Sequence, residues 1–541
     1  MKALEYAAGR AVGPAALAAL FVLYVAMRPL GGHVSDSYCF VKTIQGEVFG
    51  SFFHPHHVLY LPLAHLWRQA AAWAFPSVSL WASLAAMSAA FGAAGVAAAF
   101  LTLRTLGARQ LAAAAGAVLV AVSFGYWFFS SDVKGFVLSA CSALWCFYLL
   151  ARFVTGGQAR FAWWAGVAAA FAALFHQTGI FLFAPAAVVF FREPRRVPAL
   201  KAMLLFLAAF AALVAPVYIA AGWAAAPSFT PSGFLRWLFK AAVEGHGGFT
   251  AGGVARAPVG FARGVVGGLM AFDAARGACG ASAWLWAGVA SAVAAFVLGA
   301  AAAVRAATRL HGASPQAKTL AAGLLSAFAV YGFFSVYFDP GNFEWWTIPT
   351  ALLAVAAAIP LVTGARPAAA TAALLALLVF VANLSLDFQY RRQPQSDFAR
   401  NAARGVLALA APQDVIVTPS LLGSLMWYER PDASILCPDE IRRFSSVPEM
   451  DEILRVEALA SAASGGRVLF AGAQGDPDTA RYVKHVLGGL IGRARTVGTI
   501  RFLDGGRRFV ATVSDVPVLA VEPSVLAEAL SGSRIAAPGG G

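Results

Sequence analysis

The sequence predicts an all-α polytopic membrane protein of the kind that carries a C-terminal α/β domain outside the bilayer, and three observations predict it. Hydrophobic residues fill 60% of the 541 positions and charged residues only 12%, about half the charged share of a soluble globular chain. Apolar runs of roughly 17 to 25 residues, the length that crosses a bilayer core, recur as far as residue 386. Beyond it the composition turns to mixed charge with short β-like runs: Lys and Arg number 23 against 9 Asp and Glu before Leu386, and 17 against 17 after it. The whole net charge of +14 therefore belongs to the membrane half, and two domains follow, 1–386 and 387–541. Cations confined to short loops between apolar spans set orientation, so nucleic acid is excluded as a partner.

The N-terminal run Ala11 to Ala26 follows Lys2 and Arg10 and shows no small-residue cleavage site, which predicts a retained first helix, about 11–30, running outward from a cytoplasmic N-terminus. The stretch 57–75 holds His65, Arg68 and Gln69. If it lies along the outer interface, the basic groups Arg104/Arg109, Arg152/Arg160, Arg192/Arg195/Arg196/Lys201, Arg305/Arg309/Lys318 and Arg366 all fall inside. The remaining spans are about 78–103, 111–129, 135–151, 161–175, 177–191, 202–222, 282–304, 319–338, 345–363 and 368–386, about eleven in all with the first. A long outer loop, 223–281, contains an amphipathic run, Phe234 to Val243, with Arg236 and Lys240. Seven of the nine acids before Leu386 (Asp36, Glu47, Asp132, Glu244, Asp273, Asp339, Glu344) then face outward, so the polar chemistry is expected on the extracytoplasmic side of the inner, cytoplasmic membrane.

In the tail, strands are expected at Val415–Thr418, Ser434–Cys437, Arg467–Ala471, Thr499–Leu503 and Phe509–Val513, the last two flanking the hairpin signal Asp504-Gly505-Gly506. Helical patterns lie at Glu449–Ala463 and Asp478–Ile491. The five cysteines are scattered without CxxC spacing, which suggests neither a disulfide framework nor a zinc site.

Chemistry concentrates in four outer segments. The loop from His33 to Leu63 gathers Asp36, Glu47 and the histidines His33, His54, His56 and His57. Asp36, just beyond the first span, reads either as a helix N-cap or as a carboxylate facing a water-filled cavity. The run His54-Pro55-His56-His57 admits three readings: a divalent metal, contact with phosphate or sugar, or structural capping before the interfacial helix. No other cofactor is expected. Asp132 and Lys134 share an outer turn, as a solvated pair or as groups at the mouth of an apolar bundle. His176-Gln177 interrupts a continuous apolar stretch and either contacts a polar substrate or closes a turn. The fourth segment, Asp339 to Trp346, sets Asp339 and Glu344 beside Trp345 and Trp346, an acid-plus-indole pattern suited to a sugar, although tryptophan also anchors at interfaces.

An acid just after the first span, a Pro-containing segment leading into an interfacial helix (His54-Pro55 to Pro62-Leu63), a basic turn and an acidic outer turn at Asp132 resemble the GT-C membrane glycosyltransferases. Within that superfamily the layout of roughly residues 1–390 is similar to the protein O-mannosyltransferases and aminoarabinose transferases. The resemblance implies inverting transfer of a sugar from a polyprenyl-phosphate donor to a hydroxyl of a lipid, glycan or protein, with Asp36 matching the catalytic base and Asp132 the second outer acid. From the residues themselves, substrate contacts are expected among Glu47, His54, His56, His57, Lys134, His176, Gln177, Asp339, Glu344 and Trp345, with membrane lipids as surroundings. The chain departs from the family where His54-Pro55-His56-His57 replaces a Lys-Pro-Pro type segment, and where Glu344 and the tryptophans stand near a region often carrying Arg-Tyr. Independently of the family, transfer from a phosphate-linked sugar needs a base at the acceptor hydroxyl and positive donors around the departing phosphate. A transporter or flippase of lipid-linked sugars and a non-catalytic cell-envelope scaffold are the rival readings; clean apolar spans with polar groups gathered on one face favour surface chemistry over alternating access.

Overall fold

The computed structural model describes residues 15–28, 35–46, 52–192, 196–225, 230–239, 251–271, 283–310, 313–338, 343–362, 366–388, 398–430, 432–437, 453, 456–458, 460–471, 493–504 and 512–525. The chain falls into two units. The first comprises residues 1–29, 43–274 and 281–392; the second comprises 30–42, 275–280 and 393–541.

The first unit is a helical bundle. Its helices are α1 (Ala15–Ala26), then, after α2 (Ser35–Gly46), α3 (Tyr60–Ala74), α4 (Leu80–Thr105), α5 (Gln110–Val122), α6 (Phe124–Ser131), α7 (Phe136–Gly156), α8 (Arg160–Phe175), α9 (Phe183–Arg192) and α10 (Arg196–Ala225). They continue as α11 (Pro231–Leu238), α12 (Ala251–Leu269), α13 (Ala283–Leu310), α14 (Pro315–Phe338), α15 (Thr347–Val362) and α16 (Arg366–Asn383). An apolar helix, or at 111–129 a helix pair, occupies each of the eleven stretches expected to span. Among the described residues five helices are long and apolar enough to cross a membrane, six with the bent pair counted as one. The protein is a multi-pass membrane protein.

Local chemistry sets the helix ends. The Ser79 hydroxyl caps α4 by accepting from the Ala82 N–H at 3.2 Å, and α7 stops at Gly157, whose φ of +66° is the left-handed C-cap that glycine adopts without cost. At its 15 residues, α3 is about 22 Å long, short of a ~30 Å core.

One span departs from expectation. The run 111–129 is not a single helix: α5 and α6 meet at Ser123 with a 68° bend. Ser123 takes an extended conformation, and its hydroxyl donates back to the Val120 carbonyl at 2.8 Å. The carbonyl of Val122, released by the break, accepts from Asn383 Nδ2 at 2.7 Å. The same buried side chain accepts from the Ala271 N–H at 2.8 Å and donates to the Leu269 carbonyl at 3.1 Å. A buried backbone group must find a partner, and this amide supplies one to three segments at once.

In the second unit, a five-stranded sheet has the order β2-β1-β3-β5-β4, with β1 (Val415–Val417), β2 (Ser434–Leu436) and β3 (Val468–Phe470) parallel and β4 (Arg495–Asp504) and β5 (Thr512–Val521) antiparallel. The strands expected at 415, 434, 467 and 499 are present; β4 and β5 pair antiparallel as far as Asp504 and Thr512, Asp504 belonging to the strand, and the rest of the hairpin signal, Gly505-Gly506, lies outside the described residues. β5 runs on through Pro517, beyond the expected end at Val513. There Pro517 pairs only with Thr499 of β4, because β3 engages no residue before Leu519, so one side of the proline stays clear of the ladder. Residues 456–458 and 460–463 are helical as expected; 478–491 lies outside the described residues. The helices α17 (Phe398–Leu409) and α18 (Ser420–Glu429) are tied by Arg400 and Arg404 to Glu429. The starts of the neighbouring strands β1 and β3 are tied by Asp414, whose carboxylate accepts from the Arg467 N–H at 2.7 Å, the Arg467 guanidinium at 2.7 Å and the Ala411 N–H at 2.8 Å.

Candidate active site

Four turns of the first unit converge on one polar cluster: 54–57 ahead of α3, 132–135 between α6 and α7, His176 between α8 and α9, and 343–346 between α14 and α15. The helices leading into it carry basic residues at their far ends, Arg104 on α4 and Arg109 before α5, Arg152 and Arg160 on α7 and α8, Arg192 on α9 and Lys318 on α14. Polar chemistry and orientation charges therefore occupy opposite ends of the helices.

At the centre is an ion pair. Lys134 Nζ hydrogen-bonds Glu344 Oε1, and the two side chains are 1% and 9% exposed. The solvated reading of the 132–134 turn does not hold: Asp132 is completely buried, and its Oδ1 accepts from the Val133 N–H at 2.7 Å. The turn packs tightly, since a Cβ on Gly135 would lie 3.2 Å from the Phe175 carbonyl oxygen and 3.3 Å from the Tyr60 ring. Burial, and after it the charge of Asp132, pushes the Tyr60 phenol well above its ordinary pKa.

The histidines form the second part. The His57 and His176 rings lie 5.0 Å apart, His54 and His56 5.1 Å, and His56 and His176 6.2 Å. His176 stacks on Phe136 at 4.4 Å and meets Trp345 edge-on at 5.2 Å. Phe136 also faces the Lys134 ammonium at 5.4 Å, so the ion pair and the imidazoles share one aromatic wall. The Thr178 N–H donates to His176 Nδ1 at 3.3 Å, and the Thr178 hydroxyl lies 2.7 Å from the same nitrogen. Nδ1 is thus the acceptor, which leaves the ring proton on Nε2. Burial first, then His57, His56, Lys134 and His54, hold the His176 pKa well below its ordinary value, so the ring is a neutral donor at pH 7. His57 Nδ1 donates to the Phe175 carbonyl at 3.4 Å.

Capping and gathering coexist in the 54–57 segment. His54 caps the short turn Pro55–His57 by accepting from the His56 N–H at 3.3 Å. The segment is pinned from outside by the Tyr218 hydroxyl, which donates to the Pro55 carbonyl at 2.9 Å, and by Trp237 Nε1, which donates to the Phe53 carbonyl at 3.2 Å. The Gln177 amide donates to the Leu238 carbonyl at 3.4 Å. Among the described residues no three His, Cys, Asp or Glu side chains are placed to hold one metal ion.

The remaining expected residues are placed elsewhere or not described. Asp36 falls in the first turn of α2, where the helix dipole favours a carboxylate; its side chain, like Glu47 and Asp339, lies outside the described residues. Lys42, on α2, sits over the Trp427 ring at 3.3 Å within the second unit. Of the paired tryptophans, Trp346 is fully buried, so the interfacial-anchor reading fails for it; Trp345 is half-buried. Sequence reasoning missed Tyr60, Phe136 and Thr178, apolar or neutral residues without a motif. It also passed over Asp387, buried in the π-helical turn Leu384–Phe388 that closes α16.

A membrane bundle whose polar turns converge at one end, followed by a small α/β unit, has the fold of the GT-C glycosyltransferases, the fold that the sequence resemblance implied. The chain is similar in structure to ArnT from Cupriavidus metallidurans in the apo state, with a TM-score of 0.58 over 98% of this chain and 100% of that one at 11% identity. The same protein bound to undecaprenyl phosphate gives 0.55 over 95% and 98%, again at 11% identity. The oligosaccharyltransferase of Archaeoglobus fulgidus in the apo form gives 0.48 over 84% and 69% at 15% identity. At 11% identity the likeness to ArnT is one of fold. No protein-family model matches the chain, and no curated protein matches it in sequence.

Proposed function

We propose that this protein is a glycosyltransferase of the cytoplasmic membrane that moves a sugar from a polyprenyl-phosphate donor to a hydroxyl group on the extracytoplasmic face, with inversion. The observation that carries this reading is the buried cluster of Asp132, Lys134, Glu344, His57 and His176, bordered by the half-buried His54 and His56 and drawn from four turns of an otherwise apolar bundle. Ionisable groups are expensive at such a depth and mark functional sites. The donor class is supported by the fold neighbour that binds undecaprenyl phosphate.

In the proposed reaction the acceptor oxygen attacks the anomeric carbon, its proton passes to a carboxylate, and the bond from that carbon to the phosphate oxygen breaks with the electron pair leaving on phosphate. Asp36 is the proposed base, on the strength of its place just beyond the first span; Asp132 is the second acid. A carboxylate with a pKa near 4 is ionised at neutral pH and suits the role. Lys134 and the imidazole N–H donors stabilise the departing phosphate, and Trp345 offers an indole face to the sugar. The second unit is proposed to contribute to acceptor recognition.

Incubating the purified full-length chain with a panel of radiolabelled polyprenyl-phosphate sugars and membrane-extracted acceptors tests this. Release of polyprenyl phosphate with label moved to an acceptor is the expected result. Label that changes leaflet in sealed vesicles without bond cleavage would instead establish the transporter reading.

A further inference from the structure

We propose that Glu344 is the internal counter-anion of Lys134 in the unliganded protein and that it gives way to the incoming phosphate, so that donor binding is an exchange of carboxylate for phosphate on one buried ammonium. The proposal rests on the polyprenyl-phosphate reading above and deepens it. A lysine 1% exposed cannot stand uncompensated in a low-dielectric interior, and the chain supplies its anion from a segment 210 residues away. The same cation faces Phe136 and, across it, the neutral His176 ring. Through that ring it shares one wall with the imidazole donors that the departing phosphate is proposed to use.

Charge gives the exchange its reason. Lys134 and Glu344 are held together out of solvent, while His176 is held neutral. Left in place, Glu344 keeps a carboxylate on the ammonium that an incoming anion must approach, and like charges in such an environment repel strongly. Removing Glu344 from Lys134 frees a desolvated cation for the phosphate oxygens. It also makes Glu344 a selectivity device, because a neutral sugar lipid gains nothing by displacing it.

The test is undecaprenyl phosphate binding to the purified full-length protein in nanodiscs, for wild type, Glu344→Gln and the double variant Lys134→Gln/Glu344→Gln. Glu344→Gln keeps the shape and is expected to bind about tenfold tighter or more, the scale of one charge-assisted interaction no longer competed for. The double variant is expected to bind more weakly than wild type. Equal or weaker binding by folded Glu344→Gln would overturn the exchange while leaving the donor class standing, whereas no binding by any of the three would overturn the donor class and the exchange with it. A second measurement needs no variant: modification of Glu344 by dicyclohexylcarbodiimide, read by mass spectrometry on wild type, is expected to rise severalfold when undecaprenyl phosphate is added. Unchanged or reduced modification would contradict displacement.

Discussion

Lys134 concentrates the energetic stakes of the site in one side chain. Truncating it to methionine leaves Glu344 buried without its cation, a change that costs about 3–5 kcal/mol, whereas replacing both partners by methionine is expected to recover most of that loss. Thermal unfolding of the two variants in detergent checks it; equal loss in both would mean that the pair is not coupled. Protons report on two further residues. Burial raises the Asp414 carboxyl, but the hydrogen bonds from Arg467 and Ala411 and the guanidinium charge outweigh it, so its pKa falls below the usual carboxylate range. A lowered acid contributes stability that is complete above its unfolded value, near 4, and is lost as pH falls through the folded value. His176 is lowered as well, so its contribution is complete above about 6.5 and is lost as pH falls towards the folded value. Both slopes have the same sign, and acid is expected to weaken the protein in two stages, with the His176→Asn variant lacking the upper one.

Between elements, the joints are held by small and polar residues. A Cβ on Gly166 of α8 would fall 2.3 Å from the Phe206 carbonyl oxygen and 2.9 Å from its Cα on α10, backbone that has no rotamer to yield. Gly166→Leu is expected to destabilise by about 1–3 kcal/mol or more through forced separation of the two helices. Asn383→Leu, which strips partners from the Val122 and Leu269 carbonyls and the Ala271 N–H, is expected to cost on the order of 3 kcal/mol. An unchanged melting temperature in either variant would contradict the packing described. These joints also mark the limit of what the sequence discloses. The apolar stretches, the short helix α3 and most strands are legible because periodicity and run length are local properties. The break at Ser123 is not, since 111–129 is uniformly apolar and the amide that accommodates the break lies 261 residues away. The site divides in the same way: Lys134 and Glu344 each stand out as rare charges, but their pairing depends on how α6, α7, α14 and α15 pack. Phe136 and Tyr60 carry no signal at all among so many aromatics.

At the scale of the whole molecule, the proposed orientation, with the polar turns outside and the basic turns inside, can be tested directly. With native cysteines replaced, an impermeant maleimide applied to intact cells is expected to label Ser232→Cys, on α11 beside the polar turns, and not Gln158→Cys, in the exposed turn between α7 and α8. The reverse pattern would invert the topology and place the chemistry inside. The central proposal is that this bundle is an enzyme with a carboxylate base. The most direct measurement is sugar transfer from polyprenyl-phosphate donors by purified wild type and Asp36→Asn, with unfolding curves for both. Transfer by wild type, lost by roughly 100-fold or more in an equally stable variant, is predicted. An equally active Asp36→Asn would contradict the assignment of the base and leave Asp132 to be tested, and a folded wild type without transfer would contradict the glycosyltransferase itself.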